Sequence, residues 1–314
     1  MEQKTELYRL ADGATIAYCV LNSASNSLPL VLVNGWASLM SDWEPLASCL
    51  AKSRPVLIYD HRGIGESTFV NVRGDKTTME SMARDLLELL RHLEWQRLAL
   101  CGSSIGGAVV QQLLLLPHHP TKPTPLPFEV KHVVLANTMA SVPPMLERQP
   151  PRGDPNTEEG RLKNAMQVVE TIFDPSWVND PKNAEDIERW ARQFAKPRQK
   201  EAIGEAHPSD GNTSQSRGMD FGDLHAQVPR DMQFLVIHGT LDGVVPYSFS
   251  EEILRKIPWA RRVETGTGRG QIPHYDFGHQ WYGYFDVERW RDVIEVFLDS
   301  PAGSTPEKEG RAKL

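Results

Sequence analysis

The sequence contains few cysteines and no long apolar run. Its three cysteines, Cys19, Cys49 and Cys101, lie far apart and form no C-x-x-C pair. Three separated cysteines indicate reduced, buried thiols in a reducing compartment, and no close group of cysteine and histidine indicates a metal site. The most apolar stretch, 105–117, is too short and too interrupted by glutamine to cross a bilayer. We therefore expect a soluble intracellular protein without a membrane span.

An excess of positive charge is also absent. Lysine and arginine total 34 against 41 aspartate and glutamate, so the formal net charge of the 314 residues is −7. This balance removes the general electrostatic case for a nucleic-acid partner. The polar residues 1–13 lack the apolar segment of a secretory signal. With 40% hydrophobic and 24% charged residues, the composition is typical of a soluble globular protein.

Short β-rich runs alternate with helical runs along most of the chain. Continuous apolar strands that alternate with helices predict an α/β fold, in which a mostly parallel sheet is covered by helices on both faces. Thr77 and Glu80 fit a capping box at the start of one amphipathic helix. The predicted strands are 15–21, 30–33, 55–59, 97–101, 132–136, 233–238 and 261–265, and the predicted core helices are 78–93, 105–116, 248–257 and 287–298.

A long segment without this alternation separates two of the predicted strands. About 95 residues lie between the strands at 132–136 and 233–238, which is far more than a crossover connection needs. Residues 158–173 and 183–196 have the periodicity of amphipathic helices. We therefore predict an inserted helical cap at 140–230. A long irregular loop is the alternative, although such loops are rare in compact domains.

The remaining residues divide into a core and a tail. Residues 1–139 and 231–299 are predicted to form the α/β core, and the polar tail 300–314 is predicted to be disordered. Aromatic residues of the cap are expected to make a substrate pocket apolar or, alternatively, to hold the cap's own small core. These residues are Trp177, Trp190, Phe194 and Phe221.

The strongest chemical signal is a G-x-S-x-G motif between a predicted strand and a predicted helix. Gly102, Ser104 and Gly106 have the spacing of a nucleophile elbow, a sharp turn that lifts a serine hydroxyl out of the sheet edge. The amides at the start of the following helix favour developing negative charge. We predict that Ser104 is a nucleophile and that Ser103 is structural, a turn without chemistry being the alternative.

A nucleophilic serine needs a base, and the base needs an acid to orient it. With a nucleophile elbow, the order along the chain is serine, acid, histidine. Asp242 follows the predicted strand 233–238, at the end where parallel sheets carry functional residues. We predict that it is the acid, an ordinary turn aspartate being the alternative. The earlier acid position, after 132–136, holds Asn137 and Thr138, and neither can supply a carboxylate.

Two histidines in one loop compete for the role of base. His279 follows a glycine 37 residues beyond Asp242, and we predict that it is the base. His274 is the rival in the same loop, which is the kind of segment that carries functional residues.

An acyl-transfer site also needs two donors for an oxyanion. One is predicted to be the backbone N–H of Ile105, directly after the nucleophile. The second is predicted to be the backbone N–H of Trp36, since Asn34-Gly35-Trp36 follows a predicted buried strand and Gly35 permits the turn.

Together these residues resemble the α/β-hydrolase superfamily over 5–140 and 230–298. Residues 60–67 match the D-x-R-G-x-G-x-S turn of that family, and 130–141 and 234–246 are similar to the strand and acid loop of its 3-oxoadipate enol-lactonase-like branch. The resemblance implies an α/β-hydrolase fold with a capped pocket. That branch includes lactonases, esterases, C–C hydrolases and perhydrolases.

Two positions distinguish the chain within this resemblance. The family's usual histidine in the oxyanion loop is Asn34 here, which the site should tolerate because the donor is a backbone amide. Position 104 is serine, which disfavours the epoxide-hydrolase and dehalogenase branches that use a carboxylate nucleophile.

The chain ends on Ala312, Lys313 and Leu314, which fit the small–basic–leucine form of the peroxisomal address. We expect the peroxisomal import receptor to bind this tripeptide and expect a peroxisomal location, with the cytoplasm as the alternative. Together with the fold, this ending is similar to that of peroxisomal hydrolases in some fungal secondary-metabolite pathways.

The function predicted from these residues is that of a cofactor-free serine hydrolase. Its substrate would be a small ester, lactone or thioester, cleaved through an acyl-enzyme on Ser104. A C–C bond hydrolase, or a non-hydrolytic pathway catalyst or binding protein on the same fold, is the alternative.

Overall fold

A computed structural model describes residues 4–35, 37–70, 77–141, 150–198 and 224–300. Its centre is an eight-stranded sheet. The strands are Glu6–Arg9 (β1), Thr15–Leu21 (β2), Leu30–Val33 (β3), Val56–Tyr59 (β4), Arg97–Ser103 (β5), Glu129–Ala136 (β6), Gln233–Ile237 (β7) and Arg261–Arg262 (β8).

The strands lie in the order β1-β2-β4-β3-β5-β6-β7-β8. The pairs β1–β2 and β2–β4 are antiparallel, and the other neighbours are parallel. The helices of the described residues are Leu46–Leu50 (α1), Met79–His92 (α2), Ile105–Leu115 (α3), Glu158–Ile172 (α4), Pro175–Val178 (α5), Ala184–Phe194 (α6), Leu224–Gln227 (α7), Ser248–Lys256 (α8) and Val287–Leu298 (α9), with 3-10 turns at Met40–Trp43, Leu116–His118, Pro181–Asn183 and Trp281–Gly283. This architecture confirms the predicted α/β fold with a mostly parallel central sheet.

The apolar strands of the sheet centre are buried on both faces. Val31 and Val33 of β3 pack in one hydrophobic cluster with α2 and α3, whereas Leu30 and Leu32 pack in a second cluster with α1 and α9. Because successive side chains of a strand point to opposite faces, this division requires a helix layer on each side. None of the described helices is long and apolar enough to cross a membrane.

The start of α2 differs from the predicted capping box. Thr78, rather than Thr77, caps the helix, and its Oγ1 accepts a hydrogen bond from the Ser81 N–H at 3.1 Å. Ser81 Oγ in turn accepts one from the Thr78 N–H at 2.8 Å. The helix begins one residue later than predicted, which leaves Glu80 free to pair with Arg84 one turn further on. The prediction placed the cap one threonine too early.

Helices α4, α5 and α6 lie within the segment predicted to be a cap. Trp190 is 1% exposed and stacks on Phe194, with ring centroids 5.5 Å apart. It also meets Phe173, and Tyr282 of the core at 5.8 Å. Trp190 therefore packs between the helices of this segment and the residues that follow His279, while Phe221 lies outside the described residues. The division into core, cap and tail stays a prediction.

The carboxyl ends of three neighbouring strands lie side by side. Ser103 at the end of β5 is opposite Ala136 at the end of β6, and Ala136 is opposite Ile237 at the end of β7. The loops that follow these strands therefore begin at one edge of the sheet. This edge is where open α/β sheets place their functional residues.

Candidate active site

Ser104 lies at the junction of β5 and α3 and has a φ of +55°. A non-glycine residue rarely adopts this conformation, and it persists only where the surroundings impose it. The surroundings here are two glycines that allow close packing. A Cβ on Gly102 would lie 2.5 Å from the Gly106 oxygen, and one on Gly106 would lie 2.0 Å from the Val33 oxygen. The turn thus has the geometry of a nucleophile elbow.

Hydrogen bonds to the next strand fix the backbone of Ser104. Its N–H donates to the Ala136 oxygen at 3.0 Å, and its oxygen accepts from Thr138 Oγ1 at 2.5 Å. The preceding Ser103 accepts a hydrogen bond on Oγ from Trp281 Nε1 at 3.2 Å. Ser103 therefore contacts the scaffold, and its structural role stays a prediction.

Asp242 and His279 meet at the same edge of the sheet. His279 Nδ1 is 2.9 Å from Asp242 Oδ2 and 3.1 Å from Oδ1. Asp242 Oδ1 also accepts hydrogen bonds from the N–H groups of Val244 and Val245, both at 2.8 Å. The carboxylate is fully buried, and 11% of the His279 side chain is exposed. The pair has the geometry of an acid that orients an imidazole.

The electrostatic environment keeps the acid ionised. Burial alone would raise the pKa of Asp242, but the charge of His279 and hydrogen bonds from His238 and His279 hold that pKa well below its ordinary value. An ionised carboxylate only accepts hydrogen bonds, so in the uncharged form of His279 we assign the single ring proton to Nδ1. This assignment leaves Nε2 of His279 with a free lone pair, which a general base requires.

The serine and the histidine are connected through the scaffold. Among the described residues, no hydrogen bond joins Ser104 Oγ to His279, a contact that in many enzymes tightens only when substrate binds. Trp281, two residues after His279, donates the hydrogen bond to Ser103. The nucleophile turn and the histidine loop are thereby held against each other.

His274, the alternative base, is exposed to solvent. His274 has a side chain that is 54% exposed, and its Nδ1 accepts a hydrogen bond from the Asp276 N–H at 3.2 Å. Its ring meets Phe285 edge-on. The structure thus pairs His279, and not His274, with Asp242.

The predicted oxyanion loop runs beside the nucleophile. A Cβ on Gly35 would lie 3.2 Å from Ser104 Cβ and 3.7 Å from Ser104 Oγ. Trp36 lies outside the described residues, so its N–H stays a prediction, as does the role of the Ile105 N–H at the start of α3. Gly35, the residue before Trp36, therefore lies beside the serine.

Asn34 fixes this loop to neighbouring segments through hydrogen bonds. Its side-chain Nδ2 donates to the Tyr59 backbone oxygen at 3.3 Å, and its backbone oxygen accepts from His61 Nε2 at 3.0 Å. Burial lowers the pKa of His61 to about 4, so this imidazole is neutral near pH 7 and its Nε2 carries the donated proton. Asn34 thus holds the loop to β4 and to the turn at 60–67.

The end of α4 is joined to the histidine loop. The Gln280 N–H donates to the Ile172 oxygen at 3.1 Å. The Asp174 N–H donates to Tyr284 Oη at 2.7 Å, and Tyr284 Oη donates to Asp174 Oδ2 at 2.9 Å. The Phe173 ring stacks on Tyr284, with centroids 5.5 Å apart. The backbone next to the base therefore packs directly on the cap helices.

Sequence reasoning missed two residues that contact this site. His238 is buried, and its Nε2 lies 3.4 Å from Asp242 Oδ2 and 2.9 Å from the Val245 oxygen. The four-residue spacing between His238 and Asp242 is the feature of the sequence that could have indicated this contact. In the sequence Asn137 is notable only because it cannot supply a carboxylate, but in the structure its side chain reaches the histidine loop.

The described part of the chain contains no cluster of metal-binding side chains. No set of three or more histidine, cysteine, aspartate or glutamate side chains there is placed to hold a metal ion. The absence of a cofactor stays a prediction.

Two surface cavities of about 500 and 730 Å³ lie at the amino ends of β5 and β6, and Gln96 and Lys131 line both cavities.

Comparison with known proteins gives a family match over most of the chain. Residues 29–270 match the family model described as the alpha/beta hydrolase fold. The 3-oxoadipate enol-lactonase 2 of Acinetobacter baylyi is 25% identical over 235 residues, which are 74% of this chain and 78% of that protein. A soluble epoxide hydrolase of Corynebacterium sp. (strain C12) is 34% identical over 87 residues, but the chain spans only 29% of its length.

Solved structures resemble the chain along most of its length. A hydrolase from Pseudomonas aeruginosa PA01 has a TM-score of 0.67 at 24% identity and covers 96% of this chain and all of its own. The enol-lactonase from Burkholderia xenovorans LB400 has a TM-score of 0.59 at 20% identity, over 94% of this chain and all of its own. At these identities the likeness shows the fold alone.

Proposed function

Because the chain belongs to the alpha/beta hydrolase fold family, we propose that this hydrolase is a serine hydrolase acting on a small ester, lactone or thioester without a cofactor. The observation that carries the proposal is the hydrogen bond of 2.9 Å between Asp242 and His279. It lies at the same sheet edge as Ser104, whose φ is +55°. Curated relatives named as 3-oxoadipate enol-lactonases support the same bond class.

The proposed mechanism has two steps through an acyl-enzyme. Ser104 Oγ attacks the substrate carbonyl carbon, while His279 Nε2 accepts the hydroxyl proton and Asp242 stabilises the imidazolium. The N–H groups of Ile105 and Trp36 bind the oxyanion. The attack forms the bond between Ser104 Oγ and the carbonyl carbon. When the oxyanion collapses to the acyl-enzyme, the bond to the leaving group breaks and His279 returns the proton to that group. In the second step His279 takes a proton from a water molecule whose oxygen attacks the acyl carbon. The bond from that carbon to Ser104 Oγ then breaks, and His279 gives the proton to Ser104 Oγ, which releases the acid and restores the enzyme.

We do not propose epoxide hydrolysis for this chain, although one relative is named as a soluble epoxide hydrolase. Epoxide-hydrolase branches use a carboxylate nucleophile, whereas position 104 is serine. A serine with an acid-paired histidine fits acyl transfer.

A fluorophosphonate probe tests the proposal at the nucleophile. We expect the wild-type protein to be labelled on Ser104, and the matched variant Ser103→Ala to be labelled as well. Ser104→Ala should lose both labelling and turnover, the latter by several orders of magnitude, because removal of a triad nucleophile has that effect. Hydrolysis of an ester, lactone and thioester panel then identifies the bond. Unlabelled wild-type protein, or full turnover by folded Ser104→Ala, would overturn the proposal.

We also propose import into peroxisomes through Ala312, Lys313 and Leu314, which lie outside the described residues. A receptor reads such an address at a free carboxyl terminus, so the protein stays soluble. The test is an N-terminal fluorescent fusion, compared with the same fusion lacking 312–314. Diffuse signal from the full-length fusion, in cells with working import, contradicts the proposal.

The finer part of this proposal is a role in secondary-metabolite or toxin biosynthesis. Its support is the resemblance of the fold and the terminal tripeptide to peroxisomal hydrolases of fungal pathways. Deletion of the gene should abolish one secondary metabolite or cause its acylated precursor to accumulate. An unchanged metabolite profile contradicts this role.

A further inference from the structure

Asn137 occupies the position directly after β6, between the strand that leads to Ser104 and the strand that leads to Asp242. It is fully buried, and its φ of +43° lies in the left-handed region. Its N–H donates to the Ile237 oxygen at 2.8 Å, which continues the pairing of β6 with β7. Asparagine adopts this conformation more readily than most residues. The backbone here thus turns from the sheet into the region of the site.

The side chain of Asn137 makes hydrogen bonds to both loops that carry the predicted acid and base. Nδ2 donates to the Gly278 oxygen at 2.8 Å and to the His279 oxygen at 3.0 Å. Oδ1 accepts from the Gly239 N–H at 3.3 Å, at the start of the loop that holds Asp242. Both amide donors are therefore used on the histidine loop. These contacts join segments that are more than a hundred residues apart in sequence.

The residues on either side of Asn137 bind the nucleophile. The Ala136 oxygen accepts from the Ser104 N–H, and Thr138 Oγ1 donates to the Ser104 oxygen. Three consecutive residues, 136–138, thus contact the nucleophile turn, the acid loop and the histidine loop. A buried amide is costly unless it is hydrogen-bonded, and here every partner belongs to one of those loops.

On the basis of the proposed function, we propose that Asn137 is a positioning residue that sets the place of the His279 main chain relative to Ser104. Its side chain is fully buried and acts through its hydrogen bonds to the carbonyl groups of Gly278 and His279. A displacement of about 1 Å in a reacting group can cost about 10²-fold in rate. Loss of the two Nδ2 donors should therefore lower kcat far more than it changes KM.

Two variants separate the amide from the backbone conformation. Asn137→Gly removes the side chain but tolerates a positive φ, so strain does not explain its effect. Asn137→Asp has nearly the same size and keeps an acceptor for the Gly239 N–H, but an ionised carboxylate cannot donate to the two carbonyl groups. The matched control is Asn164→Asp, because Asn164 Nδ2 likewise donates to a backbone oxygen, that of Gly153, within the cap.

The readouts are kcat and KM for an ester, the melting temperature, and the proton resonance of the His279 Nδ1–H bound to Asp242. We expect both Asn137 variants to fold, to lose about 10²-fold in kcat, to keep KM, and to shift or lose that resonance. Asn164→Asp should lower only the melting temperature. Near wild-type kcat in either Asn137 variant would overturn the proposal, and so would failure of both to fold, since the residue would then be needed for folding rather than for geometry.

The outcome is separable from that of the proposed function. If wild-type protein is not labelled by the fluorophosphonate probe, the proposed function fails, and the Nδ1 resonance then tests the positioning role without reference to turnover. If wild-type protein is labelled and the Asn137 variants keep full kcat, only the positioning role fails.

Discussion

Asp42 and Arg198 form an ion pair between the 3-10 turn at Met40–Trp43 and the segment after α6, with 4% and 21% of their side chains exposed. Asp42 Oδ1 also accepts a hydrogen bond from Gln193 Nε2 at 2.9 Å. Arg198 Nη1 donates to the Ala37 oxygen at 3.1 Å, next to the predicted oxyanion donor. One buried carboxylate thus holds the end of the cap helices, and its arginine partner holds the oxyanion loop.

This ion pair should contribute strongly to stability. We expect Asp42→Ala to lower the free energy of unfolding by about 3 kcal/mol, because removing one partner leaves a poorly solvated charge uncompensated. Glu188→Ala is the control, since it breaks the exposed Arg192–Glu188 pair of α6 and should cost less than about 1 kcal/mol. Urea unfolding measures both changes. Equal losses in the two variants would contradict a special role for Asp42.

The two histidines of one loop should differ sharply in their effect on activity. His279→Ala removes the imidazole that is bonded to Asp242, and we expect kcat to fall by about 10⁴-fold or more. His274→Ala changes an exposed side chain and should keep kcat within a few-fold. Steady-state kinetics on one ester compares them. A dead His274→Ala variant beside an active His279→Ala variant would reverse the assignment.

Adjacent buried residues in the turn at 60–67 should have opposite effects on the pH dependence of stability. Burial raises the pKa of Asp60 to about 6, although the N–H groups of Met40 and Glu66 bond its carboxylate. Burial lowers the pKa of His61 to about 4. Between pH 4 and 6, relative to the unfolded chain, the folded protein therefore binds an extra proton at Asp60 and lacks one at His61. The two contributions offset each other.

Single substitutions should expose each contribution. In His61→Gln only the Asp60 contribution remains, so the free energy of unfolding should fall relative to wild type as pH rises from 4 to 6, by about 1.4 kcal/mol per pH unit. In Asp60→Asn only the His61 contribution remains, and the slope relative to wild type should have the opposite sign. Denaturant unfolding at several pH values measures both slopes. Slopes of the same sign in the two variants would show that these groups do not titrate as described.

Local patterns explain what the sequence could predict. The G-x-S-x-G spacing, the apolar strands and the aspartate after β7 are all features of short segments, and the structure places Asp242 against His279 as the order along the chain predicts. The catalytic roles of Ser104, Asp242 and His279 stay predictions until they are assayed. The strand predicted at 261–265 was too long, because only Arg261–Arg262 pairs with β7 at the sheet edge.

Contacts across long sequence separations explain what the sequence could not predict. The pair Asp42–Arg198 spans 156 residues, and Asn137 reaches His279 across 142. Neither the hydrophobic periodicity nor the motif spacing of a sequence indicates such a pair, because each partner alone looks like an ordinary polar residue of a loop. Burial and the need to satisfy a buried polar group select these partners, and both conditions arise only in the folded chain.

The hydrogen bonds that join Ile172 to Gln280, and Asp174 to Tyr284, have a consequence for protein engineering. Two stretches that are 110 residues apart in sequence form one structural module, in which the end of α4 supports the backbone that carries His279. A chimera that receives a foreign cap but keeps its own histidine loop would combine halves of two different modules. To alter specificity by exchanging caps in this chain, residues 172–177 and 278–284 must be transplanted together.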